Sequence, residues 1–271
     1  MIKKEVLEDL YVKKGYSQIK IGEILGCSDW KVRKYMREHN IETRSNREQA
    51  LKYTIDEEYF KNIDSQNKAY ILGFFYADGF IQSARKHNSR KIGISIQEKD
   101  RKLLEDINKE LNSSYPIRKY NVTSGYKVGA PYVRLMITSP MLAESLIEKG
   151  CLEHKTENLF FPTEKQVPHE YLPSFLRGYF DGDGSIYYSG SWTVRIMGTI
   201  PFLTEIINIF DLKEKKLYNR NPDSKTINRE LSFKINESLD FLEFINRHKG
   251  ITLDRKTTKI KEMLEYYSRL W

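Results

Sequence analysis

The stretch ILGFFYADG (71–79) runs through aromatic and aliphatic side chains and then stops on an aspartate and a glycine. LRGYFDGDG (176–184) closes in the same way. One Asp-Gly after an apolar segment reads as a turn before a glycine C-cap. Two need a common cause, and their surroundings supply one. The first is followed by strand-like FIQSA and RKIGISIQ, then KDRKLLEDINKEL with Leu103, Leu104, Ile107 and Leu111 on one helical face. YPIRKY and PYVRLMITS read as two more strands, and a helix covers about 139–149. The order is α-β-β-α-β-β-α.

A proline-punctuated loop, FFPTEKQVPHEYLP, leads into a second run of the same order. It reads SIYY, SWTVRIMG, helix PFLTEIINIF, strands KKLYNR and ELSFKIN, helix SLDFLEFINRH and a C-terminal helix. A second shared word, L-x-x-K-T-x-x-(L/I), occurs in CLEHKTENL (151–159) and ITLDRKTTKI (251–260). Each run therefore carries an Asp and a Lys in the same order, Asp78 with Lys155 and Asp183 with Lys256. From residue 67 onward the chain reads as an internal duplication of about 100 residues per copy.

The 271 residues suffice for one large domain or two modest ones. Lys and Arg number 45 against 37 Asp and Glu, a net charge of +8 that favours a polyanionic partner, nucleic acid first. Cys27 and Cys151 follow no metal-ligand spacing and build no disulfide framework, which points to a reduced, intracellular protein, cytoplasmic or organellar. The start MIKKEVLEDL lacks the apolar core of a signal peptide, and no apolar run approaches a membrane span.

Residues 1–45 read as a small all-α unit. Val6, Leu7, Leu10 and Tyr11 recur at helical spacing; Ser17 opens a helix whose apolar face is Ile21, Ile24 and Leu25; the turn GCS follows; DWKVRKYMREHNI then places Val32, Tyr35 and Met36 on one side. Helix, glycine turn and basic second helix is the helix-turn-helix order. Ser28, Trp30, Lys31, Arg33 and Lys34 are its candidate DNA contacts; the alternative is a helical hairpin with a solvated basic face.

ILGFFYADG and LRGYFDGDG resemble the two copies of the LAGLIDADG motif of homing endonucleases, best at the glycines and the closing Asp-Gly. The resemblance covers 67–271. It departs at Tyr76, where the motif has an acidic residue, and at Arg177, a long polar side chain where a small one is usual. It implies an α+β fold: a pseudo-twofold duplicated αββαββα arrangement with two saddle-like antiparallel sheets, beside the N-terminal helix-turn-helix domain. The boundaries expected are 1–45, a linker at 46–66, half-domains at 67–158 and 173–271, and a connecting loop at 159–172.

In such a fold the motif helices pack side by side, and small residues one turn apart, Gly73 with Ala77 and Gly178 with Gly182, permit close approach. Asp78 and Asp183 then meet at helix C-termini, where the helix dipole and their mutual repulsion both disfavour them. A divalent cation relieves both, and Mg²⁺ suits a site of one or two carboxylates completed by water and phosphate. The resemblance implies two or three such ions shared between the aspartates and the Gly79 and Gly184 carbonyls, with Mn²⁺ or Ca²⁺ as substitutes. It also gives Lys155 and Lys256 a role in charge stabilisation or water activation, against the plain reading of surface lysines. Gln97 is a candidate for the water network, its counterpart near Met197 or Gly198.

The strands offer a surface for DNA. Val133, Leu135 and Ile137 alternate with Tyr132, Arg134 and Met136; Val194 and Ile196 with Thr193 and Arg195; Leu231, Phe233 and Ile235 with Ser232, Lys234 and Asn236. Arg134, Arg195, Lys234 and Lys91 are the candidate DNA contacts; the tyrosines and phenylalanines are mostly at core spacing and suggest no stacking platform. The function implied is a monomeric, sequence-specific, Mg²⁺-dependent double-strand DNA endonuclease cutting a long asymmetric site, free-standing and intron- or phage-encoded. The alternative is a non-cleaving RNA maturase or transcription regulator on the same fold.

Overall fold

Hydroxyl side chains open many of the helices. Ser17, Ser28, Ser65, Ser139 and Thr199 each accept the backbone N–H three residues on, satisfying a donor that the first helical turn leaves unpaired. The computed structural model describes residues 2–44, 53–82, 90–125, 127–153, 158–219 and 228–269. The chain forms two compact units, Met1–Tyr53 and Thr54–Trp271.

In the first unit, α1 (Lys4–Leu7) widens into a π-helical stretch (Glu8–Lys13), followed by α2 (Gln18–Leu25) and α3 (Asp29–Glu38). Gly26 closes α2 in the left-handed conformation. A Cβ on Gly22 would lie 2.6 Å from the Cys27 carbonyl, so glycine there lets the turn fold back on its helix. Leu7, Leu10, Tyr11, Ile21, Val32, Met36 and Ile41 form the core. Val6 and Ile24, read from spacing as inward-facing, are exposed instead, because three short helices cover only a narrow stripe of one another.

The second unit begins with α4 (Gln66–Ala77), β1 (Gly79–Gln82), β2 (Lys91–Gln97), α5 (Arg101–Glu110), β3 (Ile117–Asn121), β4 (Pro131–Thr138) and α6 (Pro140–Glu148). Its sheet is antiparallel in the order β1-β2-β4-β3. Then come α7 (Leu172–Asp183), β5 (Gly184–Tyr188), β6 (Trp192–Thr199), α8 (Ile200–Ile209), β7 (Asn228–Ser232), α9 (Ile235–Ile245) and α10 (Asp254–Ser268), with the antiparallel sheet β5-β6-β7. The fold is α+β with antiparallel sheets. Val133, Leu135, Ile137, Val194, Ile196 and Leu231 are buried, as the alternation predicts.

Three expectations differ. KKLYNR contributes a single bridge, Tyr218 to Glu230, among the described residues. ELSFKIN leaves the sheet at Ser232; Ile235 is exposed and opens α9, because the Glu237 carboxylate accepts the Lys234 N–H and turns the chain into a helix. Residues 54–66 belong to the second unit rather than to a linker: Tyr59, Phe60 and Ile63 are buried, and Asp56 N–H donates to the Leu111 carbonyl.

Helices α4 and α7 lie against each other at backbone contact. A Cβ on Gly73 would fall 2.0 Å from the Phe175 carbonyl oxygen, one on Gly178 1.9 Å from that of Tyr70, and one on Gly182 2.2 Å from the Ala77 Cβ. The small residues at one-turn spacing are the interface. Arg177 does not hold the helices apart. It is 1% exposed, its Nε lies 3.2 Å from both Asp181 oxygens, and its Nη2 donates to Thr257 Oγ1 at 2.6 Å. Asp181 also accepts the Tyr70 hydroxyl from α4 at 2.8 Å and the Leu253 N–H at 2.9 Å.

Candidate active site

The glycine contact brings the C-terminal ends of α4 and α7 together. Asp78 caps α4 and is exposed; Asp183 ends α7 and is partly exposed. Asp78 Oδ2 would be 3.4 Å from a Cβ on Gly182, so this carboxylate sits against the neighbouring helix end. Two buried groups feel both carboxylates. Burial, and then the charges of Asp183 and Asp78, hold the Tyr179 hydroxyl well above its usual range. Lys256 is pushed down to about 8 by burial, while Asp181, Asp78 and Asp183 oppose that shift.

Beside Asp78 lies a cleft of about 470 Å³ lined by Ser95, Gln97, Asp100, Tyr132 and Arg255. Gln97 ends β2 and is exposed into this region. The strand registers align Gly79↔Ile94 with Gly184↔Ile196, which makes Thr199, not Met197 or Gly198, the counterpart of Gln97. Thr199 is buried, caps α8 and donates to the Leu159 carbonyl, so this counterpart does not serve a water network. Arg255 donates through Nε to both oxygens of the buried Asp100 at 3.1 Å. This pair was not read from sequence; its members lie too far apart for any local pattern to join them.

Lys256 is not a surface lysine. It is 4% exposed, and its ammonium donates to the carbonyls of Phe180 (2.6 Å), Asp181 (2.8 Å) and Gly184 (2.6 Å). All three protons are thus spent on the carbonyl-rich end of α7, where the helix dipole welcomes a cation. Its charge reaches the carboxylates through space rather than by water contact. The Gly184 carbonyl, expected as a metal ligand, already carries an ammonium, which disfavours a divalent ion at the same oxygen. Gly79 is buried at the start of β1. Lys155 lies outside the described residues.

The donor set fits a hard divalent ion: two carboxylates, at least one open to solvent, at converging helix ends. Among the described residues no cluster of three or more His, Cys, Asp or Glu side chains is arranged to ligate a metal. An ion here would take its remaining ligands from water and phosphate, which is the habit of Mg²⁺.

The sheet candidates are not equivalent. Arg134 donates through Nε to Ser95 Oγ at 2.7 Å, and its guanidinium lies 5.7, 5.6 and 5.4 Å from the ring centres of Phe80, Tyr120 and Tyr132. Tyr132 stands on the outer face, as the alternation predicts, and the exposed Tyr120 stacks on it there rather than in the core. Arg195 is paired with the buried Glu230 at 3.2 Å. Lys91 is exposed on β2, and Lys234 is exposed at the N-cap of α9, off the sheet.

In the first unit Ser28, Trp30, Lys31, Arg33 and Lys34 are all exposed at the start of α3. Ser28 Oγ is used in capping. Arg33 bonds Gln18 at 2.9 Å and lies 3.5 Å from Asp29. Lys34 pairs loosely with Glu38 at 3.9 Å. Trp30 and Lys31 carry the freest contact surface.

Residues 65–149 match the family model of a LAGLIDADG-like domain. No curated protein matches the sequence. Among solved structures the chain is similar to the LAGLIDADG meganuclease I-AabMI bound to uncleaved DNA, at 14% identity and a TM-score of 0.47 over 74% of this chain and 90% of that one. It is similar to the LAGLIDADG homing endonuclease I-LtrWI bound to target DNA, at 15% and 0.48 over 77% and 92%. I-SmaMI bound to an uncleaved DNA target in the presence of calcium ions is similar at 15% and 0.47 over 74% and 92%.

Proposed function

We propose that this protein is a homing-type DNA endonuclease that hydrolyses both strands of a long asymmetric site with a divalent metal, Mg²⁺ by preference, as a monomer. One observation carries the reading: α4 and α7 meet at backbone contact through glycines, so that Asp78 and Asp183 end side by side. Uncompensated, that placement is unfavourable, and helix dipole and like charge both oppose it. The family match over 65–149 supports the same reading.

Asp78 and Asp183 would hold the metal, which when bound supplies an activated water and stabilises the leaving oxygen of a phosphodiester. The chain's own groups do the rest. Lys256 lowers the repulsion between the carboxylates while fixing the end of α7. Gln97, in the cleft beside Asp78, orients solvent. The outer faces of the two sheets hold the duplex through phosphate and base contacts. The N-terminal helices act as a helix-turn-helix module, with Trp30 and Lys31 at the start of α3 adding contacts by tethering. Two dissimilar sheets in one chain fit an asymmetric target.

The test is a randomised duplex library incubated with the full chain and Mg²⁺, beside Asp78→Asn and Asp183→Asn. Wild type is expected to cut a subset of sequences that both variants bind without cutting. Binding by wild type without any cutting would replace this reading with a regulator on the same fold.

A further inference from the structure

The two sheets can be superposed by register alone, and doing so exposes a charge reversal. Gly79 pairs with Ile94, which pairs with Leu135; Gly184 pairs with Ile196, which pairs with Leu231. One step on, Ser95 pairs with Arg134 in the first sheet, and Met197 pairs with Glu230 in the second. Arg134 and Glu230 therefore occupy the same place. One step the other way, Gly93 in the first sheet matches Arg195 in the second.

The surroundings follow from these exchanges. With no side chain at Gly93, the Phe80 ring lies over it; a Cβ there would be 2.6 Å from Phe80 Cζ. That ring, with Tyr120 and Tyr132, walls in the Arg134 guanidinium, and Ser95 takes its Nε–H. An arginine stacked on rings and held at Nε loses little further freedom when its outer N–H edge binds. In the second sheet Arg195 leans onto Glu230, which is 5% exposed, and its charge is cancelled within the sheet.

We infer that Arg134 is the specificity-determining residue that reads a guanine in the half-site facing the first sheet, and that the Glu230–Arg195 pair removes this preference from the mirrored position. The chemistry is the two-pronged match of a guanidinium to guanine O6 and N7 in the major groove. Its neighbours Ser95 and Tyr132 line the cleft beside Asp78, so the guanine falls in the inner part of the half-site. This rests on the proposed DNA reading.

The experiment is binding selection on a randomised duplex library in EDTA, with the full chain, Arg134→Lys and Glu230→Gln, each checked by thermal unfolding. Wild type should select a guanine at one inner position of one half-site. Arg134→Lys should reduce discrimination for that base by about 10- to 100-fold and leave other positions unchanged. Glu230→Gln, by releasing Arg195, should add a guanine preference at the mirrored position. A folded Arg134→Lys variant with the wild-type base profile overturns the inference while leaving the endonuclease reading intact. A loss spread evenly over all sequences with a shallower salt dependence makes Arg134 a phosphate contact, and also overturns it. No DNA binding by any form overturns both.

Discussion

Helices α4 and α7 solve one problem with two chemistries. The sixth position of the motif is Tyr76 in the first helix and Asp181 in the second, and each side chain ends on the segment that leads into a K-T word. The Tyr76 hydroxyl donates to the Lys149 carbonyl at 2.5 Å, and its ring meets Phe175 edge-on. Asp181 accepts the Leu253 N–H. The neutral tether needs no counter-charge, and its helix carries Leu72 at the second motif position. The buried carboxylate needs one, and its helix carries Arg177 there. The unusual residue at 177 is thus a consequence of the usual one at 181.

The backbone contact that both helices share sets the largest expected effect. Gly178→Ala forces a Cβ into the Tyr70 carbonyl, and neither backbone can yield cheaply. Denaturant unfolding should show a loss well beyond the roughly 3 kcal/mol typical of overpacking, and larger than that of any variant below. A loss under 1 kcal/mol would mean that the helices are free to separate.

Next comes the charged tether. Asp181→Leu leaves Arg177 buried without its partner and should destabilise by about 3–5 kcal/mol. Adding Arg177→Leu should recover part of that, since the unpaired charge is then gone; a double variant weaker than the sum of the singles would contradict the pairing. The neutral tether should matter less. Tyr76→Phe removes one hydrogen bond to a carbonyl, for about 1 kcal/mol. Equal effects at Asp181 and Tyr76 would erase the contrast between the helices.

A pH dependence completes the series, at a histidine that touches both motif helices. Burial lowers the pKa of His248, which stacks on Tyr70 and bonds Ser174 and Ile251 through its two ring nitrogens. The unfolded chain therefore binds this proton more readily than the native one. Stability should fall as pH drops below about 6.5, by no more than roughly 1.4 kcal/mol per pH unit. Thermal unfolding of His248→Gln against wild type from pH 7.5 to 5 measures it; parallel curves would remove His248 from the account.

What could be read in advance divides along physical lines. Gly73, Gly178 and Gly182 were legible because a mid-helix glycine is disfavoured unless packing requires it. Strand alternation was legible because one face of each sheet is buried. Arg177 stands out in the sequence only as a departure from the motif, because periodicity reports that a position is buried but not what it meets; Tyr70 and Thr257 lie far away in the chain. Lys256 was read as a surface or reacting group for the same reason. The Phe80, Tyr120 and Tyr132 rings around Arg134 escaped notice because exposed and core aromatics look alike in a one-dimensional pattern. KKLYNR reads as a strand, yet among the described residues its pairing is one bridge.

Ala69 to Ala77 of α4 are buried on every side, and α7 supplies much of the cover. Synthesis delivers α4 well before α7 leaves the ribosome. During that interval a helix that the finished fold buries on every side stands with one flank bare, and its glycines offer open backbone to any passing surface. Nascent chains stalled between the two motifs are therefore prone to clump and candidates for a chaperone.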